Sequence, residues 1–314
     1  MDISTRHARA HILALPQTAD SIPVVYASTL SCGKDQPLPI ANLTSARIHY
    51  RLLGDVGPWV VIMVGGRHPV DIALPMAKTL ARQGFRVVLY DRRNCGRSSL
   101  NFKDLRPEED AWVEDLLHLL DHLAIEKPFL IGQSRSARVA ISFAFAFPER
   151  AAGLGLWGIG GGPLAVRILT RNYYGRYLEA CAKGGMAEVI KLPPFSQMVE
   201  KLPQREARLL SVKPAVFQRA MTNWRTHFKA NAHHEMIGFS DDTLRTIKCP
   251  TQIVPLYDRL HPIGVAQHAH ALIENSAFCD VRHGSEGATL EPEEQLKKDQ
   301  RRAAGIFGTF FKSL

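Results

Sequence analysis

The sequence predicts an α/β architecture: a mostly parallel sheet with helices on both faces, interrupted by a helical insertion. Three observations predict it. Short apolar runs closed by glycine or aspartate alternate with amphipathic stretches several times along the chain, the rhythm of βαβ units. That rhythm stops near Gly160 and resumes near Arg245. The 314 residues give room for one large domain with such an insertion.

The elements follow in order. Residues 1–42 are irregular, with scattered prolines, and form an N-terminal extension in which "IPVVYAS" is a candidate edge strand. The first part of the core is expected over 43–160. It opens with the alternating "ARIHYRLLG", a strand ending at Gly54. "WVVIMVGG" is apolar without interruption, as expected of a central strand buried on both faces. "IALPMAKTLARQG" places Leu74, Ala77, Leu80 and Ala81 on one helical face and stops at Gly84. "FRVVLYD" is the next strand and "DRRNCGRSS" its turn. "DAWVEDLLHLLDHLAI" carries Trp112, Val113, Leu116, Leu117 and Leu120 on one stripe. "PFLIG" is a strand, "ARVAISFAFAF" a helix apolar nearly all round, and "AGLGLWGI" another strand. The insertion, 161–245, offers helix-like stretches and aromatics but no good strand. The second part of the core, 246–314, restores the pattern with "PTQIVPLYD", "GVAQHAHALI", "AFCDV" and the amphipathic "QRRAAGIFGTFFKSL".

Composition excludes several classes. Hydrophobic residues make up 46%, ordinary for a full core, yet no run approaches the roughly 18 apolar residues of a membrane span. The N-terminal stretch lacks the apolar core of a secretory signal. The net charge of +9 is dispersed, and "EEQLKKDQRR" interleaves acids with bases, so the basic balance reads as a solvated face and not a nucleic-acid footprint. The five cysteines are widely spaced without a C-x-x-C, which argues against a disulfide framework or a zinc knuckle. The pair at 233 and 234 is a poor metal signal for want of a third ligand. The expectation is a cytoplasmic protein that acts on a small molecule, without nucleic acid, membrane, metal or cofactor.

The chemistry centres on "FLIGQSRSARVAIS". A buried strand meets a buried helix at Gly132-Gln133-Ser134-Arg135-Ser136, nearly G-x-S-x-G. Such a corner exposes the serine hydroxyl at the sheet edge and aims the following amide, that of Arg135, at a developing oxyanion. Ser136 in place of glycine is tolerable if its hydroxyl bonds back to a carbonyl. Alternatively Ser134 merely caps the helix, a role serine favours. A nucleophilic serine needs a base and an acid later in the chain, in the order Ser, Asp, His. "VPLYDRLHP" puts Asp258 just past an apolar strand. "AFCDVRHGSEG" puts His283 just past the last one. His261, inside the acid loop, competes with His283 for the role of base and is the weaker choice by position.

These motifs resemble those of the α/β-hydrolase superfamily over about residues 45–312. "DRRNCGRSS" is similar to the family's D-x-R-G-x-G-x-S loop, with Asn94 in place of the first glycine. "YDRLHP" is similar to its acid loop, and "LEPEEQ" followed by "IFGTFF" to its C-terminal helix. The resemblance implies an eight-stranded sheet with a helical cap, Ser134 as nucleophile, Asp258 as acid and His283 as base. It also sets Val64-Gly65 where the family has H-G, so that Gly66 supplies the second oxyanion amide. Arg67 and His68 stand at the mouth, Arg67 as a candidate for a substrate carboxylate. Trp157, Tyr173, Tyr174 and Trp224 are candidate pocket residues. The expected activity is cofactor-independent hydrolysis of an ester, lactone or similar acyl substrate. The competing readings are carbon–carbon bond hydrolysis, for which the glycines of "LWGIGGGP" speak, a cofactor-free lyase or oxygenase, and a ligand receptor or degenerate scaffold.

Overall fold

The computed structural model describes residues 39–280 and 292–314. Eight strands form one sheet: β1 (Ile40–Asn42), β2 (Arg47–Leu53), β3 (Trp59–Met63), β4 (Arg86–Tyr90), β5 (Phe129–Gln133), β6 (Gly153–Trp157), β7 (Thr251–Val254) and β8 (Ser276–Phe278). Their order is β1-β2-β4-β3-β5-β6-β7-β8. The first two pairings, β1 with β2 and β2 with β4, are antiparallel, and the other five are parallel. The candidate strand "IPVVYAS" lies outside the described residues.

The pleat explains why the central strands are apolar throughout. In β3, Val61 and Met63 face one layer while Val60 and Ile62 face the other, the alternation that a period of two imposes. Helix α2 (Glu108–His122) and helix α3 (Arg135–Ala146) cover the first face with Trp112, Leu116, Leu120, Ile141 and Phe143. Helix α1 (Leu74–Arg82) covers the second with Met76, Ala77 and Leu80. The last helix joins it there through Ala304, Phe307 and Phe311, the Phe311 ring stacked on Phe129 at 4.2 Å. That helix starts earlier than its apolar periodicity suggests, at Pro292, because its first turns are charged and carry no core stripe.

Between β6 and β7 the chain leaves the sheet for helices α4 (Gly162–Thr170), α5 (Arg176–Val189), α6 (Phe195–Lys201), α7 (Arg205–Leu210), α8 (Pro214–Ala230) and α9 (Asp241–Arg245), with a π-helical turn at Arg171–Gly175. Proline opens α8 at the first helical position, where its missing N–H costs nothing. This cap has its own core: Tyr174, Tyr177, Phe195, Phe217, Met221, Trp224 and others, joined by Phe102 from the loop after β4. Polar ties bind the cap to that loop as well. Arg205 Nη2 donates to the carbonyls of Arg97 and Ser98, the latter at 2.7 Å, and Asn223 Nδ2 donates to the Leu105 carbonyl. Helix α10 (Ile263–Leu272) returns to the sheet, and α11 is the terminal helix Pro292–Lys312. No helix among the described residues is long and apolar enough to cross a membrane.

Candidate active site

The corner after β5 is as sharp as its sequence predicts. Ser134 has φ 52° and ψ −115°, a conformation costly for a residue with a Cβ and held by the surrounding structure. Its amide donates to the Trp157 carbonyl at 2.9 Å. The close approach of strand and helix requires Gly132, where a Cβ would sit 2.3 Å from the Ser136 carbonyl oxygen. Ser136 is fully buried, and its Oγ donates to the Val64 carbonyl at 2.6 Å. The hydroxyl that replaces glycine thus finds the acceptor it needs, in the residue just past β3.

Ser134 does not cap α3 with its side chain. Its Oγ lies 2.8 Å from Nε2 of His261. On the other side of that ring, Nδ1 lies 2.8 Å from Asp258 Oδ2 and 2.9 Å from Oδ1. A carboxylate at Nδ1 makes that nitrogen the N–H donor, so Nε2 carries the free lone pair and accepts the serine proton. The Asp258 carboxylate also accepts the amides of Leu260 at 2.7 Å and His261 at 3.1 Å. The hydrogen bond from His261 leads in holding its carboxyl below the usual aspartate range, against partial burial. The histidine beside Ser134 is therefore the one from the acid loop. Position along the chain favoured His283, which lies outside the described residues. The signal in the sequence was the three-residue spacing D-x-x-H, which lets one tight turn present both side chains.

The loop after β3 is held close by. Gly65 approaches the serine corner so closely that a Cβ there would lie 3.0 Å from Ser134 Cβ. Arg92 Nη2 donates to the carbonyls of Val64 at 3.0 Å and Gly66 at 2.6 Å, with its guanidinium 4.1 Å from the Trp112 ring centre. Asp91 is equally committed: His49 Nδ1 lies 2.8 Å from Oδ2, and the amides of Val70 and Arg97 donate to its two oxygens. Asn94 takes the left-handed φ of 65° where the family pattern has glycine. Asparagine tolerates that region, and its Oδ1 accepts the Asn101 amide at 2.7 Å. Arg135 begins α3, so its amide has no acceptor within the helix.

The pocket candidates are placed otherwise than expected. Arg67 is buried, and both its Nη atoms donate to Glu108, Nη2 at 2.8 Å. Its charge is already matched by a carboxylate of the chain and is not presented to a ligand. His68 is exposed beside Gly66. Trp157 is buried in the layer with Val254 and Phe129. Tyr173, Tyr174 and Trp224 lie in the cap core, where their rings are spent on packing. An open cleft of about 590 Å³ instead borders the acid loop, lined by Tyr257, Asp258, Arg259 and His261 and by Gly161–Leu164 across from them.

Sequence reasoning missed the acidic partners of the arginines around the corner. Arg135 Nε donates to Glu109 at 2.9 Å, and its Nη2 donates to Glu108 at 2.8 Å and to the Tyr174 hydroxyl at 2.6 Å. Arg138 also donates to Glu109 and lies over the Phe228 ring at 4.9 Å. Burial works against the charge of Glu109, but Arg135 and Arg138 outweigh it and hold the carboxyl at about 2. The available signal was the buried helix itself: Arg135 and Arg138 in its first turns had to be matched by carboxylates. Among the described residues no three His, Cys, Asp or Glu side chains stand together as a metal site.

A family model described as the alpha/beta hydrolase fold matches residues 58–169, the stretch that holds the loop after β3 and the serine corner. The chain has the α/β-hydrolase fold, and this stretch is similar to the family that the model describes. Proline iminopeptidase of Lactobacillus helveticus is 34% identical over 101 residues, 30% of this chain and 34% of that protein. The match thus spans about a third of that relative's length. A 2-hydroxy-6-oxononadienedioate/2-hydroxy-6-oxononatrienedioate hydrolase of Paraburkholderia phymatum is 33% identical over 126 residues, 38% of this chain and 43% of that one. Among solved structures, the enol-lactonase of Burkholderia xenovorans aligns over 87% of this chain and all of its own, with a TM-score of 0.59 and 17% identity. At that identity the likeness concerns the fold.

Proposed function

We propose that this chain is a cofactor-independent, cytoplasmic serine hydrolase of small acyl substrates, an ester or a lactone. One observation carries the reading: Ser134 Oγ, His261 and Asp258 form an unbroken relay of hydrogen bonds at 2.8 Å each. Ser134 attacks the carbonyl carbon while His261 Nε2 takes its proton, and Asp258 stabilises the imidazolium that forms. The amides of Gly66 and Arg135 receive the oxyanion. His261 then protonates the leaving alkoxide and activates the water that releases the acid.

The test is labelling with a fluorophosphonate, with the modified residue mapped by mass spectrometry, beside turnover of short p-nitrophenyl esters and a lactone panel. Label on Ser134, and a loss on the order of 10³-fold or more in kcat for Ser134→Ala, are expected. An unlabelled Ser134 in an otherwise active protein would overturn the reading. His283 also follows the last strand, the position the Ser, Asp, His order favours for a base. His261→Ala and His283→Ala decide between them: the variant that loses activity as severely as Ser134→Ala identifies the base. A second reading of the substrate, a vinylogous diketone cleaved at a carbon–carbon bond, draws on the likeness to the Paraburkholderia phymatum hydrolase and is covered by adding such a compound to the panel.

A further inference from the structure

We propose that Glu108 is the positioning residue of the oxyanion hole, joining the two backbone segments that supply its amides, and that Tyr174 ties the cap to the same joint. The inference rests on the hydrolase reading above. The two segments are separate in the chain. One is the loop after β3, where Arg67 follows Gly66; the other is the start of α3, where Arg135 follows Ser134. Neither segment bonds the other through these side chains directly. Both arginines reach instead to one carboxylate. Glu108 Oε2 accepts Arg67 Nη2 and Arg135 Nη2, each at 2.8 Å, and Oε1 accepts Arg67 Nη1. All three side chains are at most 2% exposed.

The physics of the joint is asymmetric. Two buried guanidiniums near enough to repel hold their places only while a negative charge lies between them. The paired bond from Arg67 fixes the plane of its fork as well as its distance. Neutralising Glu108 leaves like charges facing each other, and the strain falls on residues adjacent to Gly66 and Ser134. A shift of about 1 Å at such a point costs on the order of 10²-fold in rate. The cap enters through the same cation. Tyr174 accepts from Arg135 Nη2 at 2.6 Å, and the ring centres of Tyr173 and Trp112 lie 4.4 and 4.5 Å from that guanidinium. Seating of the cap is thereby transmitted to the amide that follows the nucleophile.

The experiment compares kcat, KM and the affinity for an aryl trifluoromethyl ketone, which forms an oxyanion on the serine, across Glu108→Gln, Arg67→Lys and Tyr174→Phe. Glu108→Gln is expected to lower kcat about 10- to 100-fold, with KM within about twofold and ketone affinity falling in step with kcat. Arg67→Lys keeps the charge but loses the fork and is expected to lose about tenfold. Tyr174→Phe removes one hydroxyl, is the least disturbing to the fold, and is expected to lose about three- to tenfold in kcat alone. If Glu108→Gln does not fold, the other two variants decide. A lower Tm with kcat and ketone affinity unchanged in all variants that fold would overturn the proposal and leave a purely structural ion pair. A wild-type protein that neither labels nor turns over any ester is a different result and overturns the hydrolase reading itself.

Discussion

The first turn and the middle of helix α2 carry buried carboxylate–arginine clusters that look alike and do different things. At its start, Glu108 and Glu109 meet Arg67, Arg135 and Arg138. Two turns on, Asp115 accepts Arg93 Nε and Nη2, each at 2.6 Å, and Ser45 Oγ at 2.9 Å, while Asp104 and Glu114 share Arg106. The burial of the central arginines and the bond lengths do not separate the two. The covalent neighbour of each arginine does. Arg93 sits in the turn after β4, three residues from the left-handed Gly96; Arg67 and Arg135 each stand next to a residue of the proposed reacting centre. A buried ion pair by itself says little about role, and what it holds in place says a great deal.

The comparison breaks most visibly with Asp115→Asn. It weakens the two-pronged hold on buried Arg93, which keeps Asp104 at 2.9 Å, and is expected to destabilise by about 2 kcal/mol, a fall in Tm of roughly 4–8 °C, with kcat unchanged. Differential scanning calorimetry beside ester kinetics checks it, and a parallel loss of kcat would mean that the whole helix, not its first turn, governs the site.

Acid sharpens the contrast. Glu109 titrates at about 2 in the folded chain, below the ordinary glutamate near 4.3. Its contribution is therefore complete above about pH 4.5 and is lost as the pH falls through about 2. Glu109→Gln is expected to remove about 2–3 kcal/mol of stability at pH 7 and to flatten the urea-midpoint profile between pH 4.5 and 2. A profile as steep as that of the wild type would refute the pairing.

The smallest effect belongs to Asp110. Burial first, and the Glu109 charge second, raise its carboxyl to about 7. An acid raised on folding binds more protons in the native state, so stability declines as the pH climbs from about 4 to 7. Asp110→Asn is expected to raise Tm by about 2–4 °C at pH 8 and to leave it unchanged at pH 4. Equal shifts at both values would argue against the raised titration.

Legibility in the sequence follows the range of the forces involved. The sheet was readable because strands buried on both faces have no choice but to be apolar, as β3 and β5 show. The serine corner was readable because Gly132 and Ser134 answer local steric demands. The histidine beside Ser134 was harder. Chain order pointed to His283, whereas the contact at Ser134 comes from His261 through a turn whose geometry a spacing of three residues only permits. Glu108 and Glu109 were invisible, since acids in the first turn of a helix are what the dipole favours on any solvated surface. Tyr173, Tyr174 and Trp224 looked like pocket walls because aromatic content does not tell a filled core from a lined cavity.

The turn from Asp258 to His261 has a kinetic side. The carboxylate is bonded to the two amides and to the ring of its own loop, so acid and imidazole travel as one body. Any displacement of the turn would therefore withdraw acid and imidazole from Ser134 together, with the Nδ1 tautomer kept.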